Sequence, residues 1–455
     1  MIVDKRTDHI SLNLADHAVD AGRACVHCGL CLPACPTYTE THDEADSPRG
    51  RITLMLGLHH GDVDYDASVK GHLDGCLNCR ACETACPSGV VYHQLLEETR
   101  HRLRETRVDK SVGGRGWLRW FFLRVLTQPR RLKLALLPAR LMQKVKLYGL
   151  VRGLKLPRLL PRALRKMEAM LGPGEVWPKP LPERSRSGGV HNLIGALAPG
   201  SIGKPPTKPK VGFVPGCVGS VMFNDVNRKA VELLAAAGAD VLVPKAQTCC
   251  GAIHHHAAET EAARAMARTN IDAFEADRPE MIATTIAGCG AMLRDYADLL
   301  ADDPKYAERA KQFVSTVRDV SEVLVQLGMP ALEHPVRRTV TYHDACHLCH
   351  AQKVTAEPRA LLEAVPGLTL LPLAESDICC GAAGTYNLTQ PAMAERLAHR
   401  KLDRIAETNA DTVAMGNVGC ATHLRATATE RGNDIDITHP VDILHEAVFG
   451  RESDR

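Results

Sequence analysis

One cysteine spacing, present twice, limits this chain more than anything else in its 455 residues. It runs Cys25-x-x-Cys28-x-x-Cys31-x-x-x-Cys35-Pro36 and returns as Cys76-x-x-Cys79-x-x-Cys82-x-x-x-Cys86-Pro87. Three sulfurs spaced by two residues lie on one short turn and converge on one face of an Fe4S4 cube. The fourth cysteine, carried out of that turn by proline, reaches the cluster of the other motif. The spacing therefore assigns Cys25, Cys28, Cys31 and Cys86 to cluster 1, and Cys76, Cys79, Cys82 and Cys35 to cluster 2. Zinc sites also use Cys-x-x-Cys, but as two pairs around one ion. Two quartets each ending in Cys-Pro do not fit that use.

The chain holds 17 cysteines in all, a number that needs a compartment. Met1 to Leu30 mixes charges throughout and has no long apolar run, so it does not read as a signal peptide. The expectation is a cytoplasmic protein whose cysteines bind metal rather than pair as disulfides. No stretch approaches the ~18 uninterrupted apolar residues of a membrane span. The net charge of +3 is too small to point to any partner.

Charge is informative locally. From Arg100 to Lys166 the chain carries 20 Lys and Arg against only Glu105 and Asp109. Within it, Trp117, Trp120, Phe121 and Phe122 stand beside Arg115, Arg119 and Arg124. Such a cationic amphipathic helix suits a membrane surface, or packs as a connector on its own protein or a partner. No recognised nucleic-acid motif accompanies the charge, so nucleic acid is not expected as a partner. A stretch rich in Pro, Gly and Ser, from Gly172 to Pro209, reads as a linker.

From Lys210 onward short apolar strands alternate with helical patterns. VGFVP from Val211, DVLVP from Asp240 and MIATT from Met281 read as strands; NRKAVELLAAAG from Asn227 reads as a helix closed by Gly238. This half is duplicated. Cys217, the pair Cys249-Cys250 before Gly251, and Cys289 recur as Cys346, the pair Cys379-Cys380 before Gly381, and Cys420. The intervals are 31 and 38 residues in the first copy, and 32 and 39 in the second. Each copy thus gathers four thiols at strand ends, where open α/β sheets place their ligands. A helix N-terminus there favours thiolate over thiol. What these thiols hold stays open between a further iron–sulfur centre, a redox disulfide and a metal. The second copy is the better candidate for a metal, because His423 offers an imidazole where the first copy has Met292.

Other motifs carry less. Cys346-His347-Leu348-Cys349-His350 fits the haem-attachment pattern C-x-x-C-H, but Cys346 is already used by the repeat. His254-His255-His256 reads as a polar helix start. No G-x-G-x-x-G stands at a strand-to-helix turn, so a flavin or nicotinamide site is not evident and hydride chemistry would fall to a partner.

These residues resemble a known family. The double cluster motif, Ser47-Pro48-Arg49-Gly50-Arg51-Ile52 between its halves, and the stretches Cys249–Ala252, Cys379–Tyr386 and Asn417–His423 are similar to iron–sulfur subunits of bacterial glycolate oxidase. The likeness covers nearly the whole chain and weakens through the basic zone and linker. It implies an electron-transfer subunit without catalytic residues of its own. That subunit would take electrons from FAD-containing subunits that oxidise glycolate, and pass them towards membrane quinone or another acceptor. It implies a place at the cytoplasmic face of the inner membrane, with the basic segment as a peripheral contact. The same layout also resembles subunits of glycerol-3-phosphate and lactate dehydrogenases. The Cys-Cys-Gly repeats are similar to those of heterodisulfide reductases, which implies a thiol reductase as the rival reading. Those repeats carry a fifth cysteine in a closing C-x-x-C, which this chain replaces with Met292 and His423.

The fold expected is mixed α+β and α/β. Residues 1–105 form a helical ferredoxin-type domain for two [4Fe-4S] clusters, and 106–209 the basic amphipathic segment and linker. Residues 210–334 and 335–455 form the two duplicated α/β Cys-Cys-Gly domains.

Overall fold

The computed structural model describes residues 11–109, 116–154, 156–172, 174–186, 208–433 and 435–451. Arg115 and residues 187–207 of the expected linker lie outside the described residues.

The N-terminal unit is helical, as its short cysteine turns require. Helices Asp16–Arg23, Pro48–His60, Ala67–Asp74 and Tyr92–Glu105 bury Leu12, Ile52, Met55, Leu58, Leu73, Leu95 and Leu96 in one core. The cysteine turns are strung between these helices, so their shape is set by a rigid frame.

The strands number β1 (Arg184–Arg186), β2 (Lys210–Val214), β3 (Asp240–Leu242), β4 (Met281–Thr284), β5 (Val317–Asp319), β6 (Arg338–His343), β7 (Leu368–Leu371), β8 (Thr412–Met415) and β9 (Asp436–Thr438). The three strands expected around Val211, Asp240 and Met281 are β2, β3 and β4. The expected helix spans Asn224–Ala236, and Gly238 leaves it with φ +100°. In the first repeat the parallel order is β3-β2-β4-β5, and in the second β7-β6-β8-β9. The two sheets share one topology, so the duplication seen in cysteine spacing extends to the backbone. In both, the first strand lies between the second and third. Chain connections leave it to opposite sides, and a crevice opens at the carboxyl ends.

The repeats are joined by a common core. Ala230, Leu233 and Leu234 from helix Asn224–Ala236 pack with Val441, Leu444 and Ala447 from helix Pro440–Phe449. A strand neighbours this core from an unexpected source. β1, inside the stretch read as linker, pairs antiparallel with β3, and Arg184 and Arg186 both reach Asp240.

The basic segment differs from the single amphipathic helix expected. Helix Gly116–Phe121 gives way to a π-helical turn, Phe122–Leu126, followed by helices Pro129–Lys144 and Leu147–Gly153. Phe122, Val125 and Leu132 turn inward. Arg119 does not face outward: it pairs with Glu259 and donates to the Ala257 carbonyl of the first repeat. Trp117 and Trp120 remain 48% and 61% exposed. Among the described residues no helix is long and apolar enough to cross a membrane.

Candidate metal centres

The two N-terminal motifs fold alike at the residue level. In the first loop His27 and Gly29 take left-handed φ values of 55° and 82°; in the second, Asn78 and Arg80 take 51° and 61°. These are the second and fourth positions after the leading cysteine in each motif, and the two left-handed kinks curl three sulfurs to one side. Cys25, Cys28, Cys31 and Cys86 line one small cavity. Cys35, Cys76, Cys79 and Cys82 line another. The structure therefore brings together the two crossed quartets that the spacing implies. Burial pushes Cys31 up to about 11 and Cys79 and Cys82 well above the ordinary thiol range. As bare thiols they would stay protonated at neutral pH. Sulfurs so buried become thiolates when cationic iron compensates them, so the donor sets fit iron–sulfur clusters.

The stretch from Ser47 to Ile52 shows its purpose here. Ser47 caps helix Pro48–His60 by accepting from the Gly50 N–H at 3.0 Å, with Pro48 at the first helical position. The first turn then sends one arginine to each motif. Arg49 pairs with Glu44 at 2.6 Å and donates to the His27 carbonyl at 3.0 Å, on the wall of the first cavity. Arg51 is fully buried at the second cavity. It donates to His72 O at 2.7 Å and Thr37 Oγ1 at 2.9 Å, pairs with Asp46, and lies 4.0 Å from Cys35 Sγ. A cation this close favours an anionic group and raises its reduction potential. The sequence offered the motif but not this division of labour.

In the repeats, each cysteine group assembles at the crevice. Cys217 follows β2, Cys249-Cys250 follow β3, and Cys289 sits in the first turn of helix Ala287–Arg294 after β4. Cys346, Cys379-Cys380 and Cys420 occupy the same places around β6, β7 and β8. Cys217 Sγ is 3.4 Å from Cys249 Sγ, and Cys346 Sγ is 3.9 Å from Cys379 Sγ. Hydrogen bonds from the neighbouring thiols hold Cys249 and Cys379 well below the usual thiol range. Cys420 is pulled down to about 5, first by the Cys380 thiol and against the cost of burial, and the Asn417 amide donates to it as well.

His423, the donor expected in the second copy, is not in the group of ligand atoms that gathers around Cys380 and Cys420. His423 Nε2 lies 3.2 Å from the Ala394 carbonyl, against helix Pro391–Glu407. His343, the last residue of β6, is the imidazole that joins Cys380 and Cys420. The repeat alignment held a signal for it: three residues before Cys346 stands His343, and three before Cys217 stands Val214.

The ferredoxin-type unit docks directly on this region. Leu77, Cys79 and Ala81 share a small core with Cys346, Cys379, Tyr386 and Leu397. A cavity of about 570 Å³ lies beside them, with Cys76, Cys217, Cys249, Cys250, Cys289, Cys346, Cys379 and Cys420 all on its wall. Polar contacts fix the docking. Arg80 forms a buried two-pronged ion pair with Asp295. Glu97 meets His255 Nε2 at 2.8 Å and His256 Nδ1 at 3.2 Å, so two of the three consecutive histidines in helix Ala252–His256 are interdomain contacts. Although burial raises it, those imidazoles hold Glu97 well below the carboxylate range. His350, from the C-x-x-C-H stretch, contacts Thr84 Oγ1 at 3.1 Å and the Asp377 carbonyl at 3.1 Å.

Comparison with known proteins agrees with this layout. A 4Fe-4S dicluster domain model matches residues 21–90, and a cysteine-rich domain model matches residues 211–294 and 340–425. A model of the glycolate oxidase iron–sulfur subunit linker region matches residues 114–171. A probable glycolate oxidase iron–sulfur subunit of Bacillus subtilis is 38% identical, over 94% of this chain and 94% of its own length. The glycolate oxidase iron–sulfur subunit of Escherichia coli is 32% identical over the same shares. Lactate utilization protein A of Halalkalibacterium halodurans is 31% identical, over 53% of this chain and 99% of its own length. With its dicluster unit, its linker and both cysteine-rich repeats matched, the chain belongs to the family of glycolate oxidase iron–sulfur subunits.

Proposed function

We propose that this chain is the electron-transfer subunit of a glycolate-oxidising complex acting on a CH–OH donor. It carries two [4Fe-4S] clusters, one on Cys25, Cys28, Cys31 and Cys86, the other on Cys76, Cys79, Cys82 and Cys35. FAD-containing partner subunits oxidise glycolate to glyoxylate, and electrons leave towards membrane quinone. Clusters held by these thiols supply one-electron transfer. The chain's own residues do the rest: Arg49 and Arg51 place positive charge at the two quartets, and the folded helices keep water from the second one. The observation that carries the reading is the packing of Cys79 against Cys346 and Cys379, beside a cavity walled by sulfurs of all three units. Packing this close gives electrons held at the second quartet a short route to the surface of the repeats. The test is an anaerobic pull-down of the full chain from its native cytoplasm. Flavoprotein subunits that reduce with glycolate support the carrier. Disulfide reduction by the chain alone, with no flavoprotein recovered, rejects it in favour of a thiol reductase.

The complex sits peripherally on the cytoplasmic face of the membrane in this reading. Its contact is the basic segment, where exposed Trp117, Trp120, Leu134 and Leu159 accompany exposed Arg124, Arg130 and Arg131. Aromatic and leucine side chains insert at the headgroup level while the cations meet anionic lipid. Vesicles containing anionic lipid should float the complex, and added salt should weaken the binding as it screens the charge. Trp117→Ser with Trp120→Ser should lower flotation several-fold. Flotation unchanged by the pair would assign this face to a protein partner.

A further inference from the structure

We infer that the second repeat binds a single divalent transition-metal ion, zinc by its donor chemistry, on His343 Nε2, Cys380 Sγ and Cys420 Sγ. The inference does not depend on the electron-transfer reading. These three atoms lie within 4.8 Å of one another, and all three residues are buried. Donors around one tetrahedral ion, at about 2.3 Å for sulfur and 2.0 Å for nitrogen, stand roughly 3.5–4 Å apart. The group therefore needs only a small closure to take an ion. A cubane's ligands approach from separate corners and stand wider.

The imidazole supplies the independent observation. His343 is 0% exposed and its Nε2 has no hydrogen-bond partner. An orphaned polar atom at that depth is destabilising unless something occupies it. Its other nitrogen, Nδ1, lies 2.9 Å from the Ser376 carbonyl oxygen. A carbonyl only accepts, so Nδ1 carries the proton and Nε2 presents a lone pair towards the sulfurs. Metal-binding histidines are held by this same outer hydrogen bond. Cys420 has its own support, accepting from Asn417 Nδ2 at 3.3 Å. Two thiolates and one imidazole are a borderline-soft set that selects zinc over magnesium or calcium. The fourth position falls to water or to Cys379, which shares a hydrogen bond with Cys380.

The fold says what the ion does. His343 ends β6, Cys380 follows β7, and Cys420 follows β8, and these strands are neighbours in the order β7-β6-β8. One ion thus ties the carboxyl ends of three adjacent strands at the floor of the crevice. Cys346 and Cys379, on the cavity wall, stay beside the second N-terminal motif. The first repeat has Val214 at the position of His343, buried among Cys217, Cys249, Cys250 and Cys289, and lacks this donor.

The test is metal analysis of the full chain, purified anaerobically from zinc-supplemented cells and washed with a weak chelator. The wild type should carry about one zinc per chain beside its iron, with a sulfur-and-nitrogen first shell by X-ray absorption. His343→Val, which copies the first repeat, and Cys420→Ser should each bring zinc to near none while leaving iron and the visible spectrum intact. His423→Gln should keep the zinc. Zinc retained in His343→Val, or an additional iron equivalent lost from that variant in place of zinc, would overturn the assignment. Circular dichroism matching the wild type separates metal loss from misfolding.

Discussion

Cys86→Ser should lower the iron of the anaerobically purified chain from about eight to about four atoms, and the cluster that disappears should be that of Cys25, Cys28 and Cys31. The reason is the crossing of the fourth ligands, which places Cys86 in the cavity of the first motif although it belongs to the second. Pairing the mutations tells which cluster is lost. Cys86→Ser combined with Cys25→Ser should remove no more iron than either alone, because both strike one site. Cys86→Ser combined with Cys76→Ser should empty both sites. Contacting residues couple in this non-additive way, and distant ones add. The reverse pattern, with Cys86 and Cys76 acting as one, would mean uncrossed motifs. Cys35→Ser should give the mirror image.

Gly50→Ala should destabilise the N-terminal unit by about 3 kcal/mol or more, a large part of the stability of a small domain. Two effects oppose each other. Alanine is the better helix former by about 1 kcal/mol, which alone would make the change favourable. A β-carbon at Gly50, however, would stand 1.9 Å from the Glu44 carbonyl oxygen, a backbone atom with no flexible end to move aside. The clash wins, and it falls on the turn that aims Arg49 and Arg51. Gly71→Ala is the control. Gly71 lies in helix Ala67–Asp74 with nothing within 4 Å of the added carbon, so the same substitution should be neutral or stabilising there. Loss of cluster absorbance on heating reads both. Equal melting of Gly50→Ala and wild type would show that the turn relaxes freely.

Much of this molecule is legible because iron–sulfur ligation is local. Three of the four cysteines in each quartet fall within seven residues, so Cys25 to Cys31 and Cys76 to Cys82 stand out without a fold. The repeats are legible through arithmetic, since matched intervals around two cysteine pairs survive the divergence of everything between them. What was hidden depends on packing across the chain. His423 follows Cys420 at a spacing that suggests a ligand, but helix Pro391–Glu407 lies along that face and its Ala394 carbonyl meets the imidazole Nε2. His343 is distant in sequence from both of its sulfurs, and only strand order brings them together. Arg119 reads as part of a cationic face, yet Glu259 and the Ala257 carbonyl claim it. The short strand β1 looked like linker because Arg184, Ser185 and Arg186 carry no apolar pattern; it pairs by backbone and by charge to Asp240.

The left-handed Arg80 has a consequence in time. The first motif meets its corresponding kink with Gly29, for which the conformation is free. The second uses an arginine, at a strain of about 1–2 kcal/mol. Asp295, which holds that arginine, lies 215 residues further along the chain. At about 5–20 residues per second of synthesis, Asp295 is made on the order of tens of seconds after the loop it secures. The first quartet is complete within its own unit as soon as Cys86 appears. The second loop has its sulfurs by then but not its counter-charge. The second loop is therefore held in its strained shape by an ion pair that forms only once the first repeat has folded and docked.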